Sequence, residues 1–249
     1  MEEQQHLPPA PSLGTTFTDV FTSPSEVFQN LKGTPSSPML WVIPLIVSIV
    51  IGIGITITMF TNETLHSQII DKQHQAIEKR VEEGTMPRET ADKAIERMES
   101  GGSTLFMVIG SITVIIMIAL SYFLGTLFLW LANKTILKSS ARYGKHLEMY
   151  GISSWIGILG GIITIFMMVG LGSMYANPSV SLLVISNFDT TNHLHKLFSA
   201  LNIFSIWQTA VIGFGIAKLS EKSNNSGLGV AFALWAIWVA IQVFIGFGM

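Results

Sequence analysis

Polar and apolar positions fall along this chain in long blocks rather than in short periods. Five blocks are predominantly apolar: 39–60, 105–131, 150–174, 198–217 and 228–247. None of them holds Asp, Glu, Lys, Arg or His. A helix of ~20 apolar residues crosses the ~30 Å hydrocarbon core of a bilayer. Backbone inside lipid must satisfy its own hydrogen bonds, so each block is expected to be an α-helix. The fold class predicted is all-α: a polytopic membrane protein built as a five-helix transmembrane bundle.

The polar blocks predict the remaining elements. Residues 1–16 form a Pro/Gln/Ser/Thr tail, expected to be disordered. Residues 17–61 hold a short amphipathic helix and the first span. Ser23-Pro24-Ser25-Glu26 has the pattern of a capping box with proline at the first helical position. Val27, Phe28 and Leu31 then share one helical face. Two settings fit this element: the membrane surface, or the protein's own loops. Residues 62–103 carry nine acidic and six basic residues. Apolar positions recur there at near-helical spacing, interrupted at Gly84 and Pro87. A hydrophilic helical hairpin outside the bilayer is expected; its narrow apolar seam fits self-packing, the favoured reading, or a partner surface. Residues 104–249 hold spans two to five. Their connections are a basic loop at 132–149, a nearly neutral loop at 176–197 and a tight polar turn at 219–227.

Composition sharpens this picture. The 249 residues are 49% hydrophobic and 12% charged, against about 25% charged in soluble domains. The net charge of −2 gives no reason to expect nucleic acid as a partner. The absence of cysteine excludes disulfides, thiolate metal sites and a cysteine nucleophile. No cleavable signal peptide or lipidation motif is expected, and the first span should act as an uncleaved signal anchor. By the positive-inside rule, Lys32, Lys134, Lys138, Arg142, Lys145, Lys218 and Lys222 place the N-terminus in the cytoplasm and the C-terminus outside.

Little in the chain points to chemistry. His193 and His195 are a close pair, but Asp189 is the only nearby carboxylate, too few ligands for a usual metal site. Gly151-Ile-Ser-Ser-Trp155 lacks the second glycine of a nucleophile elbow, and no span holds a base. No catalytic residue, cofactor or metal is expected, and the protein is not read as an enzyme. The spans do contain neutral polar residues: Asn202, Gln208 and Thr209 in the fourth and Gln242 in the fifth. They are candidates for a polar bundle interior, bonding between helices or lining a pathway. Gly157 and Gly161 have small-xxx-small spacing, and Gly213 lies four residues before Ala217. With Gly215, Trp207 and Trp235 they are the candidate packing residues. Trp41 and Tyr150 sit at block ends, as interfacial anchors do.

Two stretches resemble a known family. One is Phe21-Thr-Ser-Pro-Ser-Glu-Val-Phe-Gln-Asn-Leu31, followed by Trp41-Val-Ile-Pro44. The other is Leu197-Phe-Ser-Ala-Leu-Asn-Ile-Phe-Ser-Ile-Trp207, followed by Gly213-Phe-Gly-Ile-Ala217 and a helix with Trp235. Gly144-Lys-His-Leu-Glu-Met-Tyr-Gly151 also suits the pattern. Together they resemble the bacterial form of the Yip domain, named for Ypt/Rab-interacting membrane proteins. The resemblance covers 17–61 and 104–248, so that 62–103 reads as an insertion. Many bacterial relatives carry an acid where Asn202 stands. The Asp-Leu-Tyr-Gly-Pro-type motif of the trafficking members is missing, which weighs against Rab GTPase binding. The resemblance implies a non-enzymatic integral membrane protein, in the bacterial inner membrane. It would be an accessory or scaffold for a transport or trafficking machine or for membrane organisation. Its partners would be the lipid bilayer and a membrane protein or a second copy of the chain. The competing expectation is a small transport component, a channel or permease-like subunit of an efflux system.

Overall fold

The computed structural model describes residues 12–29, 31–99 and 103–245. Nine α-helices run through these residues. They are α1 (Leu13–Thr22), α2 (Met39–Thr61), α3 (Glu63–Glu82), α4 (Arg88–Glu99), α5 (Ser103–Ile136), α6 (Tyr143–Leu171), α7 (His193–Ala200), α8 (Ile203–Ser220) and α9 (Asn224–Ile245). Short 3-10 turns occupy Leu31–Gly33 and Val180–Asn187. Helices α2, α5, α6, α8 and α9 are long and apolar enough to cross a membrane. The architecture is the all-α five-span bundle that the block pattern predicts.

Alternating spans sort the connections to two ends. Residues 12–29 and 31–38, the 137–142 loop and the 221–223 turn share one end. Contacts confirm it: Lys145 Nζ donates to Pro35 O at 3.1 Å and Ser139 Oγ to Leu219 O at 2.8 Å. The α3–α4 hairpin, the connection from Gly172 to Asn202 and the last turn of α9 share the other. There Gln68 Nε2 donates to Gly172 O at 2.7 Å, and the His193 ring lies 5.6 Å from that of Phe244. Within the bundle α2 packs on α5 and α6, α6 on α8, and α8 on α9. Helix α5 packs mainly on α2, and its apolar residues stay largely uncovered.

The N-terminal amphipathic helix lies earlier than the capping box suggests. Ser12, not Ser23, caps it, its Oγ accepting from Thr15 N at 3.1 Å. Helix α1 therefore takes in residues 13–16, which the sequence assigns to a disordered tail; residues 1–11 lie outside the described residues. Ser23 instead ends the helix, its N–H donating to Asp19 O, and a turn follows. The segment packs on the protein, against spans α6 and α8 rather than against loops. Val20, Phe28 and Leu31 are fully buried in a core with Met149, Ile216 and Leu219. The rings of Phe17 and Phe21 stand edge-on to Trp155 and Trp207, at 5.0 and 5.8 Å. Such pairs prefer this geometry because a ring's positive edge meets its neighbour's negative face.

The hairpin forms as expected and packs on itself. Asn62 caps α3, accepting from Leu65 N at 3.1 Å. Gly84 makes the turn at φ 70°, a left-handed conformation that glycine adopts without steric cost. Ala91 of α4 is fully buried. Arg88 pairs with Glu78 at 2.7 Å and with Asp92 at 3.1 Å, which raises the guanidinium's already high pKa. Only the base of the hairpin touches the bundle closely. Leu65 is buried with Met168 and Ala176, and Lys72 lies 5.4 Å from the Tyr175 ring. Partial burial pushes the Lys72 ammonium below its usual pKa.

Two block boundaries move for physical reasons. The third span starts at Tyr143, seven residues before the apolar block, because its charged first turns find partners in the protein. The fourth block divides into α7 and α8. Asn202 caps α8, accepting from Phe204 N at 2.9 Å and Ser205 N at 3.3 Å. The freed backbone groups pair locally: Ile203 N donates to Pro178 O and Val180 N to Leu201 O.

Candidate functional site

Two places in the bundle concentrate polar groups. The first lies at the N-terminal end. Glu148, one turn and a half into α6, has a side chain only 1% exposed, and its partner Lys145 is 11% exposed. Lys145 Nζ donates to Glu148 Oε2 at 2.8 Å. Ser36 Oγ and Ser37 N donate to the other oxygen, at 2.8 and 3.1 Å. The ammonium reaches further, to Pro35 O at 3.1 Å and Thr34 Oγ1 at 3.4 Å. One carboxylate and one ammonium thus clasp residues 34–37 onto α6. Beside them, buried His146 bridges Arg142 O, 3.1 Å from Nδ1, and Asn133 Nδ2, 2.9 Å from Nε2. Both ring nitrogens are thus engaged by the protein. Nearer the water, Lys32 pairs with Glu221 at 2.7 Å and holds that carboxyl below its usual pKa.

The second place is a cavity of about 490 Å³ in the middle of the bundle, to which all five spans contribute. Its polar lining is Ser48 of α2, Ser121 and Tyr122 of α5, Tyr150 and Ser154 of α6, Gln208 of α8 and Gln242 of α9. Tyr122 and Tyr150 meet edge-to-face at 4.7 Å. A second, almost wholly apolar cavity of about 370 Å³ adjoins it between α5 and α9.

The candidate polar interior therefore separates into three. Gln208 and Gln242 line the central cavity. Thr209 lines the apolar one, its hydroxyl donating to Ser205 O of its own helix at 2.8 Å. Asn202 is not in the interior, because capping α8 fixes it at the far end of that helix. The packing candidates sit at close approaches. A methyl on Gly157 would lie 2.6 Å from Gln208 Oε1, one on Gly161 2.7 Å from Ile51, and one on Gly213 2.8 Å from Leu228 Cα. One on Gly215 would overlap Met149. Trp207 packs against the N-terminal segment through Phe21, and Trp235 Nε1 donates to Ser205 Oγ at 3.0 Å, joining α9 to α8. Tyr150 lies two turns into α6 and walls the cavity. The histidines 193 and 195 engage different partners, Phe244 and Phe188.

A family model described as the Yip1 domain matches residues 18–246. The chain belongs to that family. The match covers most of the N-terminal segment, the hairpin and all five spans of this Yip1-domain protein, which is an integral membrane protein. No curated protein and no solved structure matches the chain.

Sequence reasoning missed the Glu148 clasp and the serine lining of the cavity. The signal for the first was present: Lys145 and Glu148 stand three apart just ahead of an apolar block, on one helical face. Removing one member of a buried pair leaves an uncompensated charge, a loss of roughly 3–5 kcal/mol. Lys145→Ala is expected to lower unfolding stability in detergent by that order. It should also expose a cysteine placed at buried Thr34 to maleimide, in a chain without native cysteine. Glu148→Gln, which keeps an acceptor for the serine donors, is expected to cost less.

Proposed function

We propose that this Yip1-domain protein is a non-enzymatic scaffold, an accessory to a transport, trafficking or membrane-organising machine in the bacterial cytoplasmic membrane. The observation that supports this best is the α3–α4 hairpin. Its base is pinned by Leu65 and Gln68, while the rest carries exposed charged side chains on a self-paired arm. A pinned arm presents a partner surface without a large loss of conformational freedom on binding. A photoreactive residue at Glu96, on the exposed face of α4, should give a discrete cross-linked product in native membranes. Diffuse products alone would remove this support, as would turnover of a substrate by the purified protein.

The basic end of the bundle supports an N-terminus in the cytoplasm and a C-terminus outside. Lys32, Lys134, Lys138, Arg142, Lys218 and Lys222 all lie at that end, beside Lys145. The hairpin then faces the outside. A single cysteine at Glu89 should react with an impermeant maleimide in spheroplasts, and one at Thr22 only after lysis. The reverse pattern would invert the topology.

A second reading, a small transport component, is favoured by one observation: Gln208 and Gln242 line a cavity to which all five spans contribute. It predicts solute flux in proteoliposomes that Gln208→Leu abolishes; flux equal to that of empty liposomes would discard it.

A further inference from the structure

The polar cavity and its apolar neighbour are parts of one groove, because Tyr150 and Trp238 line both. We propose that this groove binds a neutral amphiphile dissolved in the membrane, an apolar body carrying an uncharged hydroxyl or carbonyl head. The inference goes beyond the scaffold reading; it shares its cavity with the transport reading but requires occupancy from the bilayer, not solute flux.

Hydrogen-bond accounting gives the chemistry of the head. Ser48, Ser154 and Tyr122 donate their protons to main-chain carbonyls, of Pro44 at 2.8 Å, Tyr150 at 2.7 Å and Trp41 at 3.0 Å. Their oxygens keep lone pairs for the cavity. Gln208 and Gln242 bring the complementary donors. Each amide offers two N–H groups and a carbonyl, and neither makes a side-chain hydrogen bond among the described residues. Polar groups at this depth have no bulk water to turn to, so a hydrogen-bonding occupant relieves their cost. No Asp, Glu, Lys, Arg or His lines either part of the groove. An ion entering it would shed hydration without meeting a counter-charge. The head is therefore neutral.

The apolar part gives the body and the route. Leu129, Ile212, Trp235 and Ile241 wall it, and Phe128 and Ile237 at its rim are exposed. Helix α5 makes only slight contact with α8 and α9, so the groove meets the bilayer sideways between α5 and α9. An occupant enters from lipid rather than from water. The volumes suit a molecule of ordinary ligand size.

The test uses the purified full chain in phosphatidylcholine liposomes with a diazirine-bearing hexadecanol as probe, its adducts mapped by peptide mass spectrometry. Adducts should concentrate on peptides carrying Tyr122, Gln208 and Gln242, and excess hexadecanol should suppress them. Gln208→Leu should reduce them about tenfold, the effect of one buried hydrogen bond. Gly157→Ala should also reduce them, because its methyl would lie 2.6 Å from Gln208 Oε1 and drive that amide from its place. Labelling at lipid-facing Ile112 should stay unchanged in both variants. Adducts in the wild type spread evenly over α5, Ile112 included, would overturn the proposal whether or not either variant folds. Equal labelling of the cavity by the matching fatty-acid anion at alkaline pH would overturn it as well.

Discussion

A carboxylate taken out of water sets the terms for the rest of this molecule. Coulomb attraction to Lys145 alone does not hold Glu148 at the head of α6, since desolvating both ions can cost more than their pairing returns. The two serine donors from residues 36 and 37 and the carbonyl of Pro35 complete the solvation shell that water would have supplied. That requirement fixes residues 34–37. Once they are fixed, α2 must start beside α6, and Val20, Val27, Phe28 and Leu31 come to lie buried over the ends of α6 and α8. The close approach of α2 and α6 follows the same line. Gly151 stands where a methyl would strike Leu40 O, and Tyr122 Oη reaches the carbonyl of Trp41 just above it.

The existence of the five spans was legible because lipid leaves so few alternatives: a long block without charge has no other stable conformation there. The ends were less legible, since a block ends at its first charge while a helix ends where its backbone finds other partners. Lys145, His146 and Glu148 interrupt the apolar block yet continue the helix, because residues far away in sequence satisfy them. In the fourth block the composition stays apolar through Leu201-Asn202, but the Asn202 side chain competes for the amides of Phe204 and Ser205 and opens the helix. At the N-terminus two serines each precede a plausible first turn. Ser12 wins because the helix it starts places Phe17 and Phe21 against Trp155 and Trp207, contacts that local pattern does not contain.

The cavity was half legible. Gln208 and Gln242 are conspicuous in apolar blocks because a primary amide cannot satisfy itself within its own helix. Ser48 and Ser154 are not conspicuous, because a serine hydroxyl bonds the carbonyl four residues back wherever it sits in a helix. Their convergence at one depth is a property of how α2 and α6 register against each other. The glycines of α6 mark that register without revealing it: Gly157 faces Gln208, whereas Gly161, one turn on, faces Ile51 of a different helix.

The brevity of α8 bears on how the chain enters the membrane during synthesis. Its 18 residues rise ~27 Å, short of the hydrocarbon thickness, and it is the least apolar of the five spans. A segment of that kind gains little from partitioning into lipid by itself. Helix α9 follows after a turn of three residues and supplies what α8 lacks. The Trp235 indole takes up the Ser205 hydroxyl, and Gly213 and Gly227 let the two backbones touch. The energetics thus favour passage of the last two spans through the translocon as one helical hairpin, with the weaker helix carried in by the stronger.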